Sequence, residues 1–431
     1  MRKILKSLGS LLLLSVLVMS SCKKDDDKTT TTEEKPVPAG TYAKSITIGN
    51  SESDEILKEF ADKNYDRIQG SLTISFDHEN LSSLGNVREI TGSLKISSID
   101  KESLDFLSKL DQVGGMVEIQ DMSALNSLQS LSLLDSIGGN LVLKSCPKLT
   151  SLDGLNKLVY LNGSLKLDHL AVLTETSQLS SLELLSGSIE INACDLMDSF
   201  TGISQIDSIT GGVQLTNCKK LNSLDGLSGI RYMSGKVEIS NMPSIVHLNT
   251  LTKVDTLRST VVVSDCANLV SVDGFDKVQQ IGKGLHFQNC PNLTTVTGFT
   301  ELDSIQGGLS SEYCYKLENF EGMTSLRLIK GNFDLIGAKE ITTITGFKLP
   351  LRINGKVNLR SNPMLVSLGD KTTSTGLGAI REVHGGMDIF YNKALESYCP
   401  LKNISTFKGV FQCFGNKVDI TTLDDLKDIC K

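Results

Sequence analysis

Ten cysteines and five histidines are the residues of this chain best suited to metal, redox or nucleophilic chemistry. A zinc site needs thiolates or imidazoles at short, fixed spacings, and neither C-x-x-C nor H-E-x-x-H occurs. Cys146, Cys194, Cys218, Cys266, Cys290 and Cys314 are separated instead by multiples of 24 residues, and Leu170, Met242 and Ala338 stand at the same phase elsewhere. Residues that exchange with Leu and Met fill space, and a free cysteine packs as a small hydrophobe. Buried thiols are therefore expected. Parallel neighbours at about 4.8 Å would also hold Cβ atoms farther apart than a disulfide prefers. Cys399, Cys413 and Cys430 break the phase, and two of them are candidates for a bridge that staples the C-terminal end. His78, His169, His247, His286 and His384 are scattered and expected at surface or edge positions. No G-x-S-x-G, P-loop or dinucleotide glycine motif is present. No cofactor or metal is expected.

The remaining cysteine, Cys22, has a different setting. Met1-Arg2-Lys3 is basic, residues 4–18 are mostly apolar, and Met19-Ser20-Ser21 lead into Cys22. This resembles a bacterial lipoprotein signal, which implies a signal peptide over 1–21 and lipid on Cys22. Met19 departs from the Leu or Val usual there. Lys23-Lys24-Asp25-Asp26-Asp27 follows, and a lysine-then-acid run there resembles the surface-export signal of Bacteroidota lipoproteins. The resemblance implies an outer-membrane, lipid-anchored protein facing the extracellular side; the other reading is a plain solvated linker. Residues 22–42 are charged, Thr-rich and broken by proline, too polar to bury a core. As a coil they span roughly 25 Å, a tether.

Beyond residue 43 a period of 24 sets the organisation. Apolar residues recur at Leu141, Leu165, Ile189, Val213, Val237, Val261, Leu285, Leu309, Phe333 and Val357, and two residues on at Leu143, Leu167, Ile191, Leu215, Ile239, Val263, Phe287 and Leu359. Ser311 is an exception. Upstream the equivalents are Val117, Leu94 and Leu72; downstream, after a six-residue insertion, come Met387 and Phe411. That is fifteen turns, with Ser45-Ile46-Thr47-Ile48 a candidate sixteenth. The alternation L-x-L reads as a short strand with one face inward. Apolar residues then come every third position (Leu149, Leu152, Leu155, Leu158, Leu161), which fits short straight pieces joined by bends. Asp153-Gly154, Asp225-Gly226 and Asp273-Gly274 mark one bend. No such turn buries its apolar residues alone; stacked, they form aliphatic ladders along a rod of roughly 70 Å. One solenoid over 43–431, with a C-terminal cap from about 395, replaces the two or three domains that length implies.

The unit resembles a leucine-rich repeat in its LVLKSCPKL segment (141–149). Its G-x-L-x-I opening and S-L-x-G-L bend are more similar to the receptor L domain, a right-handed parallel β-helix of growth-factor receptors. The resemblance covers about residues 45–415 and implies a β solenoid of about fifteen 24-residue turns. It says little about ligand.

Some parallel β-helices are polysaccharide lyases or hydrolases with acids on an exposed sheet face. Here the outward strand positions read Glu118, Val142, Lys166, Glu190, Gln214, Glu238, Val262, His286, Ser310, Asp334, Asn358 and Asp388. No pair of carboxyls stands out to flank a glycosidic bond, so no enzyme is expected. A net charge of −7 without a basic stretch argues against nucleic acid. Asp135-Ser136-Ile137, Asp207-Ser208-Ile209, Asp255-Thr256-Leu257 and Asp303-Ser304-Ile305 lie at multiples of 24. They resemble the O-glycosylation site of Bacteroidota exported proteins, at Ser136, Ser208, Thr256 and Ser304; a repeat-encoded bend accounts for them equally well.

Solenoids bind along an extended face. Aromatics are concentrated in the last third, and a ligand patch is expected from Tyr313, Tyr315, Arg360, Asp388, Phe390, Tyr391 and Phe414, beside the insertion at residues 369–378. Tyr398 belongs to the same aromatic-rich third. The competing reading is that these aromatics close the last turn. Joint alanine substitution at Tyr313 and Tyr391 separates the two, by lost binding or by lost stability. The expected function is a monomeric, non-enzymatic surface binding or adhesion module for an extracellular protein or glycan, touching membrane only through its lipid. Alternatives are a glycan-capture accessory of an outer-membrane uptake system, against which the absence of Trp argues, and a structural spacer.

Overall fold

The computed structural model describes residues 39–49, 53–370, 374–426 and 430. Cys22, the signal segment and residues 22–38 of the tether lie outside the described residues. Thr41 and Tyr42, read above as the end of the tether, pair with Arg67 and Ile68 and so are part of the solenoid.

The body is a parallel solenoid. Sixteen strands, from Ile46–Ile48 to Phe411–Phe414, form one sheet in chain order. Its register reproduces the sequence phase: Ile46 opposes Leu72, Leu72 opposes Leu94, and Leu94 opposes Val117. From Leu141 to Val357 each inward residue opposes the one 24 positions on, as Leu141 does Leu165 and Phe333 does Val357. The insertion is absorbed between Val357 and Met387 without loss of register. The candidate sixteenth turn is thus real. A second wall is built from strands of two to four residues, seven from Thr41–Tyr42 to Leu184–Leu185 and nine from Ser208–Ile209 to Thr406–Phe407.

Part of the period-three apolar pattern comes from tight turns between the straight pieces, one of which is the strand Tyr160–Leu161. The amide of Leu155 donates to the carbonyl of Leu152, and that of Leu158 to Leu155, both at 3.0 Å. Such i→i+3 turns repeat every three residues, so positions i and i+3 face the same way. Leu149, Leu152, Leu155, Leu158 and Leu161 accordingly are all fully buried. The bend glycines serve close approach more than reversal. A Cβ on Gly154 would lie 1.9 Å from the Leu128 carbonyl oxygen, and one on Gly226 would lie 2.4 Å from that of Phe200.

Ser311 breaks the inward aliphatic ladder in the widest-filled part of the core. Phe287, Phe299, Phe320, Phe333 and Phe347 are all fully buried around this stretch, and Phe333 meets Phe347 edge-on at 5.6 Å. A small residue at 311 leaves room for these rings, consistent with close packing.

Each end carries a covering segment. The helix Ser53–Lys63 is inserted in the first turn, with Leu57 and Phe60 buried. Asp54 and Glu55 in its first turn and Lys63 in its last complement the helix dipole. At the other end Leu401, Ile420 and Leu426 are buried and Cys399 is bonded to Cys430. Cys413 stays free and half-buried.

Candidate functional site

From Leu94–Ser97 onward, each main-sheet strand is followed by one residue in the left-handed region. Ser98, Asp121, Ser145, His169, Ala193, Asn217, Asn241, Asp265, Asn289, Tyr313, Ser361 and Tyr391 all have φ between 51° and 59°, and Gly337 and Gly415 complete the row with φ of 75° and 74°. Asn and Asp tolerate this conformation; for a bulky residue it is costly, about 1–2 kcal/mol. Tyrosine stands here twice, and both times the next turn supplies glycine. A Cβ on Gly337 would lie 3.1 Å from Tyr313 Cδ1, and one on Gly415 would lie 2.7 Å from Tyr391 Cδ1. Each ring therefore rests on the bare backbone of the following turn. Tyr313 and Tyr391 keep 45% and 55% of their surface exposed.

Around Tyr391 the expected patch assembles. Phe390 stacks on Phe414 with centroids 4.1 Å apart, and Tyr391 meets Phe414 edge-on at 5.3 Å. The Arg360 guanidinium lies 4.9 Å from the Phe390 centroid, on its face. Phe390 is buried, while Phe414 is exposed. Asp388 is buried; Lys356 Nζ and an Arg360 guanidinium nitrogen both donate to its Oδ2 at 2.8 Å. Its Oδ1 is buried without a hydrogen-bond partner, as is Oδ1 of Asn358. Asn358 and Asp388 are register partners on adjacent strands.

The outward row leading to Asp388 is also joined. His286 Nδ1 is 2.8 Å from Ser310 Oγ, and Asn358 Nδ2 donates to Asp334 Oδ1. Burial raises the Asp334 carboxyl above its usual range, against the bonds and charges of Asn358, His286 and Arg360, which lower it. Burial lowers His286, opposed by Glu312 and Asp334. His286 is thus half-buried and part of a row, not an isolated surface residue. Serine, histidine and aspartate here do not form a nucleophilic triad. Asp334 bonds Asn358 rather than orienting the imidazole, and Ser310 is buried.

The remaining expected patch residues lie elsewhere. Tyr313 is three register steps from Tyr391, roughly 14 Å at the strand spacing. Tyr315 carries Lys339 over its ring at 3.9 Å. Tyr398 belongs to the cap: it is buried, its hydroxyl donates to the Val418 carbonyl at 2.6 Å, and burial raises its pKa. The aromatic-rich third therefore divides into surface rings and a cap ring. Of the glycosylation candidates, Ser208 is exposed, Ser136 and Thr256 are half-buried, and Ser304 is buried and accepts from Gln306.

One arrangement was not anticipated. At the cysteine phase the last turns carry Asn362, Asn392 and Asn416. Asn362 Nδ2 donates to the Leu335 carbonyl and to Asn392 Oδ1. Asn392 Nδ2 donates to the Leu359 carbonyl and to Asn416 Oδ1. The apolar cysteine ladder gives way to an amide ladder beneath the aromatic patch. The signal was in the sequence, as Asn at a Leu/Met/Cys phase.

No curated protein matches the chain. Residues 66–126, which hold the second to fourth strands of the main sheet, match the family model of the Receptor L domain, so the likeness read from the repeat is borne out over that segment, which is similar to a ligand-binding or receptor-like module.

Proposed function

We propose that this chain is a non-enzymatic binding module displayed outside the cell, tethered to the outer membrane by lipid on Cys22. It takes an extracellular protein or glycan on the outer sheet face near the C-terminal end. The observation that carries this is the cluster of Arg360, Phe390, Tyr391 and Phe414, where exposed rings and a cation are fixed on paired strands. Aromatic and Arg anchors on a rigid scaffold are the usual carriers of binding energy. A monomer fits a solenoid whose two ends each carry a covering segment. The segment matching the Receptor L domain supports the module reading without naming a ligand.

The test is an array of glycans and extracellular-matrix proteins, probed with residues 39–431, which form a compact unit by themselves. The reading predicts a ligand whose binding falls at least tenfold with Tyr391→Ala plus Phe414→Ala at unchanged Tm. Binding unaffected by that pair removes the site. Release of shortened oligosaccharide would overturn the non-enzymatic assignment. A spacer role is the second reading, favoured by the repetition of the turns, and it predicts silence on every array.

A further inference from the structure

The outer face changes character along the sheet. In the earlier turns it is covered by ordinary exposed ion pairs, such as Lys95 with Glu118 and Lys166 with Glu190. From Ser310 onward polar groups are buried on the same face, ending at Asn358 and Asp388. A buried acceptor without a donor is destabilising, because the water it lost is not replaced. Two of them, on adjacent in-register strands and beside exposed rings, are a feature that a hydroxyl-bearing ligand relieves.

We infer that the ligand of this face is a saccharide, whose hydroxyls donate to Asn358 Oδ1 and Asp388 Oδ1 while an apolar ring face stacks on Phe414 and Tyr391. This rests on the binding-module reading above and narrows it. Charge selects against the other donors. The Asp388 carboxylate already holds two cations, Lys356 and Arg360, so an amine or guanidinium ligand would have to displace one cation with another. A neutral O–H donor completes Oδ1 without that exchange. Both oxygens are buried, so a ligand reaches them when neighbouring side chains shift. The side chains bonded to Asp388 are long and rotatable, and those of Lys356 and Arg360 remain 35% and 44% exposed. Tyr and Phe take the stacking role that Trp, absent from this chain, would otherwise fill.

The test compares the full chain with Asn358→Ala and Phe414→Ala on a panel of neutral and acidic oligosaccharides, by calorimetry and with Tm recorded for each. The expected result is binding of at least one saccharide class, weakened about tenfold or more by each variant, with Tm held within a few degrees. Should Asn358→Ala lower Tm, Asn358→Gln, which keeps the amide and moves the acceptor, takes its place with the same expected loss. Three outcomes overturn the inference. If saccharides fail while a protein ligand binds and is lost in Phe414→Ala, the saccharide assignment falls and the module reading stands. If saccharides bind but neither Asn358 variant matters, the acceptor role falls. If no ligand of any class responds to Phe414→Ala, the inference and the module reading fall together.

Discussion

Asn392 offers a sharp quantitative test of how the last turns are held. The residue is fully buried and makes four hydrogen bonds with its side chain. Its Oδ1 accepts from the Asn362 amide and from Asn362 Nδ2, both at 3.0 Å. Its Nδ2 donates to the Leu359 carbonyl and to Asn416 Oδ1, both at 3.1 Å. Alanine removes all four and adds no partner. The Asn362 amide loses this acceptor, and the Leu359 carbonyl loses this donor. At about 1–3 kcal/mol for each buried polar group left unsatisfied, Asn392→Ala should cost on the order of 3–5 kcal/mol. Because turns contact only their neighbours, the loss should be local. Native-state hydrogen exchange is the assay: amides of residues 357–414 should exchange faster by two orders of magnitude or more, while those of residues 141–239 stay unchanged. Cys218→Ala, at the same phase mid-array, serves as the contrast. It loses a small apolar group and should cost less, about 1–2 kcal/mol. An Asn392→Ala variant with exchange like the wild type, or one no worse than Cys218→Ala, would refute the amide ladder as a structural element.

Further outcomes follow from other sites. Gly415→Ala should cost about 1–2 kcal/mol from its φ of 74°, and its Cβ should also dislodge Tyr391; Tm and ligand binding should both fall, whereas an unchanged near-UV spectrum would contradict the ring placement. Ser311→Ala should be neutral or stabilising, because Ser311 Oγ is buried without a partner; a drop in Tm of several degrees would argue otherwise. In the native state Cys413 should be the fastest of the described free cysteines to react with a thiol reagent, since the other six are buried and burial pushes the Cys146 thiol up to about 11. Asp425 accepts from the amides and hydroxyls of Thr421 and Thr422, which lowers its pKa from 3.8 to about 2. A depressed carboxyl stabilises above its unfolded pKa and loses that contribution as pH falls, so protease sensitivity of the C-terminal cap should rise between pH 4 and 2, and Asp425→Asn should show it already at neutral pH.

The fold was legible because a solenoid writes its register into the sequence as phase. Leu141, Leu165 and Ile189 recur at equal spacing because they sit on one another. The helix Ser53–Lys63 is not legible in the repeat because it lies among the early turns of uneven length, where phase gives no guide. The period of three in Leu149 to Leu161 was visible, but its i→i+3 hydrogen bonds require coordinates. The patch was legible in part. Phase alone placed Arg360, Asp388, Phe390, Tyr391 and Phe414 together. It also drew in Tyr313, whose separation by Gly337 and Ser361 is a matter of distance along the ladder. Phase could not show that both tyrosines adopt positive φ, that each leans on a glycine, or that Asn358 and Asp388 keep unpaired buried oxygens. Those depend on side-chain direction, which a repeat does not encode.

The most direct test of the account is a hydrogen-exchange footprint of residues 39–431 with a bound ligand, taken from the arrays described above. The account predicts protection concentrated in the strands Val357–Arg360, Met387–Phe390 and Phe411–Phe414, with the first ten strands of the sheet unaffected. Protection centred on the turns before Leu285, or spread evenly along the array, would contradict it.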